Sequence, residues 1–205
     1  MAKKNVDALA LEVATIINHP DQATTDAFTW VNRAYAALAN RVDFTELHSV
    51  QSIVTVVSQP NYAYPSNYFS TISLRDTSEQ RKLRQLSTGD FDALDSSISG
   101  LPTHYSLFDQ LYLWPTPSDV RTLSHRCRLT PAAMATGDFY IFPEVWEGAI
   151  VLGAVALGFE HWNEFQLAAA YEAKQRNYIK LLVTGAADSL TDRNEAVAPI
   201  VYADY

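Results

Sequence analysis

Near both ends of the chain apolar residues recur every three or four positions, and through the middle they recur every second one. The first pattern runs over residues 4–17, where Val6, Leu9, Val13, Ile16 and Ile17 share one face of a short amphipathic helix that "NHPDQ" breaks. A second helix follows, with Thr24, Thr25 and Asp26 as start signals and Phe28, Val31, Tyr35, Leu38 and Val42 along one side. From about Glu46 to Leu129 the period shortens to two. "SIVTVVSQPNYAYPSNYFSTISLR" reads as two strands around a Tyr- and Pro-rich loop, and β-branched residues dominate its first half. "RKLRQLS" is a further strand candidate, and "TGDFDALDSSISG" a helical turn closed by Gly100. "LPTHYSLFDQLYLWPTPSDV" predicts a hairpin with Phe108, Asp109 and Gln110 at its tip, and "VRTLSHRCRLTP" continues that sheet until Pro131 ends it.

The last third returns to helical spacing. Pro143 suits the first helical position and Glu144 the positive end of the helix dipole, so a helix is expected through Phe159. Ala149 with Gly153, and Ala154 with Gly158, lie one turn apart and let two neighbours come unusually close. Asn163 and Gln166 form a capping box for another helix, striped by Leu167, Tyr171, Tyr178, Leu181 and Leu182 and stopped at Gly185. Residues 186–205 show no helical period, carry four acids against one Arg, and gather apolar side chains only at the end. Such a tail orders on a partner. The fold class is therefore α+β: a four-helix core from residues 1–45 and 132–185, an inserted small antiparallel β domain over 46–131, and an extended C-terminal docking tail over 186–205.

Composition narrows the function. With 205 residues, 48% of them hydrophobic, the chain can bury a core. A formal charge of −8 argues against a dedicated nucleic-acid binder, which needs Lys and Arg to replace counterions on phosphate. One cysteine, Cys127, cannot close an internal disulfide, and a reducing compartment is the simpler expectation. Residues 1–17 lack the continuous apolar stretch of a signal peptide, and the longest apolar run, Ala149 to Phe159, falls short of a membrane span.

Catalytic chemistry finds no foothold. The histidines His19, His48, His104, His125 and His161 include no pair four apart and no H-E-x-x-H, and His161 with Glu164 is the nearest approach to a ligand pair. Glu160 with Glu164, and Glu144 with Glu147, bring carboxylates to one helix face, as a glycosidase or a di-metal site would, but a solvated acidic face does the same. The glycines Gly148, Gly153 and Gly158 lack the Gly-Lys-Ser/Thr of a phosphate loop, and no G-x-S-x-G occurs. Cys127 reads as a small core residue. No metal, cofactor or catalytic residue is expected.

Two features point to association. Tyr62, Tyr64, Tyr68 and Phe69 form an aromatic loop able to anchor a protein interface or stack on sugars, unless the rings fold onto the β unit. Arg75, Arg81, Lys82, Arg84, Arg121, Arg126 and Arg128 gather in the β region of an acidic chain; they read as solvated strand positions or, alternatively, as a basic module of one subunit that meets the acidic helical part and tail of the next. Arg81, Lys82 and Arg84, with the four aromatics, are the candidates for an inter-subunit or tail-partner interface.

The order of "LPTHYSLFDQLYLWPTP", "LTP", "FPEVWEGAIVLGAVALGFEH" and "AAAYEAKQRNYIKLL" resembles the head-to-tail adaptor, or connector, proteins of tailed bacteriophages, especially short-tailed ones, over residues 5–185. The resemblance implies a helical core with a β domain, twelve copies ringed beneath the portal, and a channel through which the genome passes without specific binding. Portal protein, tail or nozzle proteins and further copies of the chain are the implied partners, and the virion's head-to-tail junction the implied location, after synthesis in the host cytoplasm. It also implies a C-terminal arm that reaches the portal, where Pro199, Ile200, Val201, Tyr202 and Tyr205 stand as anchors. The competing readings are a glycan-binding or glycan-cleaving tail component and a tail-tube or fibre-attachment protein.

Overall fold

The computed structural model describes residues 3–19 and 24–191. The chain divides into two compact units: residues 47–130, and the residues on either side of them.

In the outer unit, α1 (Val6–Ile17) starts at Asn5, whose Oδ1 accepts the Ala8 N–H at 3.0 Å, and ends at Asn18 in the left-handed conformation. Val6, Leu9, Ala10, Val13 and Ile17 are buried, whereas Ile16 faces solvent, because only one of two adjacent residues can lie on the packed side. α2 (Thr24–Arg41) buries Ala27, Trp30, Val31, Ala34, Tyr35, Leu38 and Ala39, with Phe28 half-buried and Val42 buried just beyond the helix end. Short helix α3 (Thr88–Asp92) belongs to the inner unit, and α4 (Glu147–His161) and α5 (Phe165–Thr191) to the outer one.

α4 packs against α1, α2 and α5, and its glycines explain how. A Cβ on Gly153 would run into the Gln175 amide of α5 and lie 3.2 Å from Ala34 of α2; one on Gly158 would strike Ile17 of α1 and Trp30 of α2. Close approach on two sides, as the glycine spacing predicts, is realised. Pro143, however, precedes a 3₁₀ turn (Glu144–Trp146) in extended conformation instead of opening the α-helix, and α4 runs two residues past Phe159. Asn163 does not cap α5. It takes a positive φ of 60° in the three-residue connection, where a left-handed residue reverses the chain. Nor does Gly185 stop α5, which continues to Thr191; a helix stops at glycine only when the residue takes a left-handed turn, and this one does not. The buried stripe of α5 is Ala168, Gln175 and Ile179, flanked by half-buried Tyr171, Tyr178 and Leu182, while Leu167 and Leu181 are exposed. Between the helices, Tyr140 and Phe142 are fully buried; Phe142 stacks on Phe44 at 3.7 Å between centroids.

The inner unit holds ten strands: β1 (His48–Val54), β2 (Asn61–Tyr62), β3 (Tyr68–Asp76), β4 (Arg81–Lys82), β5 (Arg84–Gln85), β6 (Ser99–Gly100), β7 (His104–Leu107), β8 (Leu111–Trp114), β9 (Thr116–Pro117) and β10 (Thr122–Leu129). One sheet has the order β1-β10-β3-β4, a second β2-β8-β7-β5, and β6 pairs with β9 alone. The hairpin β7–β8 has its tip at residues 108–110, as expected. Three expectations fail. β10 does not continue that hairpin but inserts between β1 and β3 in the other sheet. Gly100 belongs to β6 instead of closing a helical turn, and α3 ends eight residues earlier. The unit is not wholly antiparallel, since β5–β7 and β6–β9 are parallel pairs, each two residues long. Tyr62, Leu74, Leu83, Tyr105, Leu111, Leu113 and Leu123 form its core.

Candidate protein interface

The aromatic loop folds inward. Tyr62 is buried, its hydroxyl accepting the Val56 N–H and donating to the Gln59 carbonyl, both at 2.9 Å. Tyr64 and Tyr68 are half-buried and stack with centroids 4.1 Å apart. The Tyr64 hydroxyl donates to the Gln110 carbonyl at 2.9 Å, and burial, with Tyr68 beside it, pushes its pKa up to about 12. Tyr68 reaches Thr71 Oγ1 at 2.8 Å, and Thr71 reaches His125 Nε2 at 2.8 Å. His125 is wholly buried, its Nδ1 has no hydrogen-bond partner, and burial holds its pKa below the ordinary value of 6.5. Of the two readings of this loop, the rings of Tyr62, Tyr64 and Tyr68 take the one folded onto the β unit, as a ladder over a buried histidine. Phe69 alone of the four remains exposed, with the Arg128 guanidinium 4.8 Å above its ring.

The bases separate into used and available. Arg121 is held by Glu79, Asp76 and Asp119, a cluster that locks the β3–β4 turn to the start of β10. Arg128 is buried. Arg75 and Arg81 donate to the carbonyls of Gln80 and Pro102. Lys82 and Arg84 are exposed on β4 and β5, and neither makes a side-chain hydrogen bond or ion pair among the described residues. They flank an open groove of about 370 Å³ together with Ile72, Leu83, Gln85 and Tyr105. Two cations above an apolar floor fit an acidic segment that also carries apolar side chains. The strand alternation of "RKLRQ" carries this much: Leu83 goes in, and its neighbours go out.

Exposed apolar side chains are the signal that periodicity passes over. Phe108 is exposed at the hairpin tip and Val50 and Val54 on β1; in the outer unit exposed Phe139 and Ile141 alternate with buried Tyr140 and Phe142, and Val145 is exposed beyond them. A run such as "FYIF" has no polar member to mark which face is wet, so its alternation is invisible in hydropathy. The arm residues Pro199, Ile200, Val201, Tyr202 and Tyr205 lie outside the described residues.

The groups weighed for chemistry are engaged structurally. Burial alone would raise Glu147, but hydrogen bonds from Lys4 and Tyr140 hold it below the ordinary carboxylate value. The pKa of the Lys4 ammonium is raised by its bonds to Glu12 and Glu147, and the second of these ties the residues before α1 to α4. Burial raises the Cys127 thiol, away from the thiolate a nucleophile needs. Among the described residues no three His, Cys, Asp or Glu side chains are grouped to hold a metal, and no helix is long and apolar enough to cross a membrane.

Comparison with known proteins brings one family forward: the model described as SU10 adaptor protein matches residues 4–200. No curated protein matches the chain.

Proposed function

We propose, from the premise that the chain belongs to the SU10 adaptor protein family, that it joins the capsid portal to the tail as a ring of twelve copies through which DNA passes. The coarser statement, a structural adaptor protein of a phage particle, follows from membership itself, in line with the resemblance read from the sequence. The observation that carries the finer one is the distribution of charge. Residues 47–130 hold seven Lys or Arg and seven Asp or Glu, while the rest of the chain holds eight against sixteen, so the whole net charge of −8 resides outside the β unit. The groove cations Lys82 and Arg84 of one copy then meet the acidic outer unit of the next, a heterologous contact that closes into a ring. An acidic ring repels passing DNA and lets it slide.

Residues 192–205, with Pro199, Ile200, Val201, Tyr202 and Tyr205 as anchors, dock on the portal in this reading. A glycan-binding tail component would need the rings of Tyr62 and Tyr64 at the surface, and those rings are engaged inside the β unit.

The test mixes purified chain with its portal and follows ring addition by negative-stain microscopy and sedimentation. The full chain should add a ring. A version ending at Thr191 should not bind, and a Lys82→Glu, Arg84→Glu double variant should bind portal without closing a ring. Failure of the full chain to bind removes the portal partnership; rings from the double variant remove the groove as the contact between copies.

A further inference from the structure

The two edges of the larger sheet are unlike. β4 is two residues long, and both residues, Arg81 and Lys82, are exposed cations, the ordinary protection against edge-to-edge pairing. β1 is seven residues long, pairs only with β10, and has none of the protective devices. It contains no proline, no lysine and no bulge, since its register against β10 is continuous from His48 to Val54. Its solvent face shows Val50 at 61% exposure and Val54 at 55%.

Among the described residues, the backbone of Val50, Ser52 and Val54 has no strand paired to it on the open side. Thr55 N–H donates across the ladder to the Arg121 carbonyl, whereas Val56 N–H turns the opposite way, to the Tyr62 hydroxyl. Antiparallel strands alternate this way residue by residue, so the N–H and C=O of Val54, Ser52 and Val50 face the open edge.

We infer that β1 is a self-pairing edge, by which two copies of the free chain join antiparallel about a two-fold axis at Ser52. Three observations select a second copy as the occupant. First, no Lys, Arg, Asp or Glu occurs from residue 47 to 74, so the strand meets its own image without like-charge repulsion. Second, with Ser52 opposite Ser52 of the second copy, Val50 lies opposite Val54 and Val54 opposite Val50, so each exposed valine gains an apolar cross-strand neighbour. Third, the remaining sheet edges among the described residues (β2, β4, β5, β6 and β9) are each two residues long, too short to offer β1 a matching partner. The Arg126 side chains of the two copies lie three strand spacings apart and, because Arg126 pairs with Val50, four residues out of step along the strands, about 20 Å in all and beyond the Debye length of about 8 Å.

An isologous pair of this kind cannot propagate around a ring, so it is a state of the free chain distinct from the ring contact proposed above and independent of it. It hides the one long open edge until assembly and parts when copies take their places.

Sedimentation velocity and disulfide trapping of the full chain test it. The wild type should show a concentration-dependent dimer, and Val50→Lys, Val54→Lys should be monomeric with an unchanged circular dichroism spectrum. Ser52→Cys should cross-link to a dimer under mild oxidation, because directly opposite residues of such a pair have Cα atoms about 5.5 Å apart. Arg75→Cys, exposed on β3 away from the edge, should not; Cys127 is buried and does not compete. A wild type that is monomeric at every loading concentration, a dimer that persists in the double-lysine variant, or equal cross-linking of the Ser52→Cys and Arg75→Cys variants overturns the inference.

Discussion

The outer and inner units are stabilised by different means. Of the six polar or charged residues buried among the described ones, Thr55, Asp76, Ser106, His125 and Arg128 lie in the β unit, and Gln175 lies in the helical one. The helical unit is held by shape, through glycines that bring α4 close to three neighbours and a ring cluster in which Phe44 stacks on Phe142 and meets Trp146 edge-on. The β unit is held by a smaller apolar core and by the hydrogen bonds of its buried polar groups, where each group left without a partner, such as Ser106 Oγ and His125 Nδ1, costs about 1–3 kcal/mol. Close packing tolerates changes of pH and resists changes of volume; a polar interior does the reverse.

That contrast can be broken most sharply in the helical unit. Phe142→Ala should cost about 3–5 kcal/mol, read as a lower denaturant midpoint, and the loss should be the same at pH 8 and pH 6. Gly158→Val should cost about 1–3 kcal/mol, because the added side chain must displace the end of Ile17 and press on the Trp30 ring; a midpoint unchanged from wild type would show that α1 and α2 have room to move. The smallest effect belongs to the β unit. His125 is neutral in the fold and its folded pKa lies below 6.5, so the unfolded chain takes up a proton first as pH falls. Stability is therefore complete above about 6.5 and declines below it, at most by about 1.4 kcal/mol per pH unit, down to the folded pKa. His125→Leu should flatten that decline, measured by urea unfolding between pH 7 and 5. The window is separate from that of Glu147, whose depressed carboxylate pKa gives stability that is present above about 4.5 and lost only at lower pH.

What could be read in the sequence followed the range of the forces involved. The inward face of α2 was legible, because helical spacing acts within one segment; Val31, Tyr35 and Leu38 are where their period puts them. The buried face of α5 was not. Its central member is Gln175, a polar residue that goes inside because Gly153 leaves it space and the Ala149 carbonyl accepts its Nε2–H at 2.9 Å. Pairing in the sheets was equally hidden, since β10 joins strands that begin 54 and 74 residues before it. At the candidate interface, the alternation around Leu83 marked Lys82 and Arg84 as outward, whereas the inward turn of Tyr62, Tyr64 and Tyr68 depends on Gln59, Gln110 and Thr71, partners that no local pattern announces.

One contact in the helical unit works as a fulcrum. Tyr178 bears on Gly148, and its hydroxyl donates to the Val145 carbonyl at 3.0 Å, so this point fixes α5 against the start of α4. Thirteen further residues of helix follow, about 20 Å of rod at 1.5 Å each, ending at Thr191. A tilt of only about ten degrees at the fulcrum would swing the far end by about 3.5 Å over that length. Side-chain size at Gly148 is thereby a gearing ratio, setting where in space the chain beyond the helix begins its course.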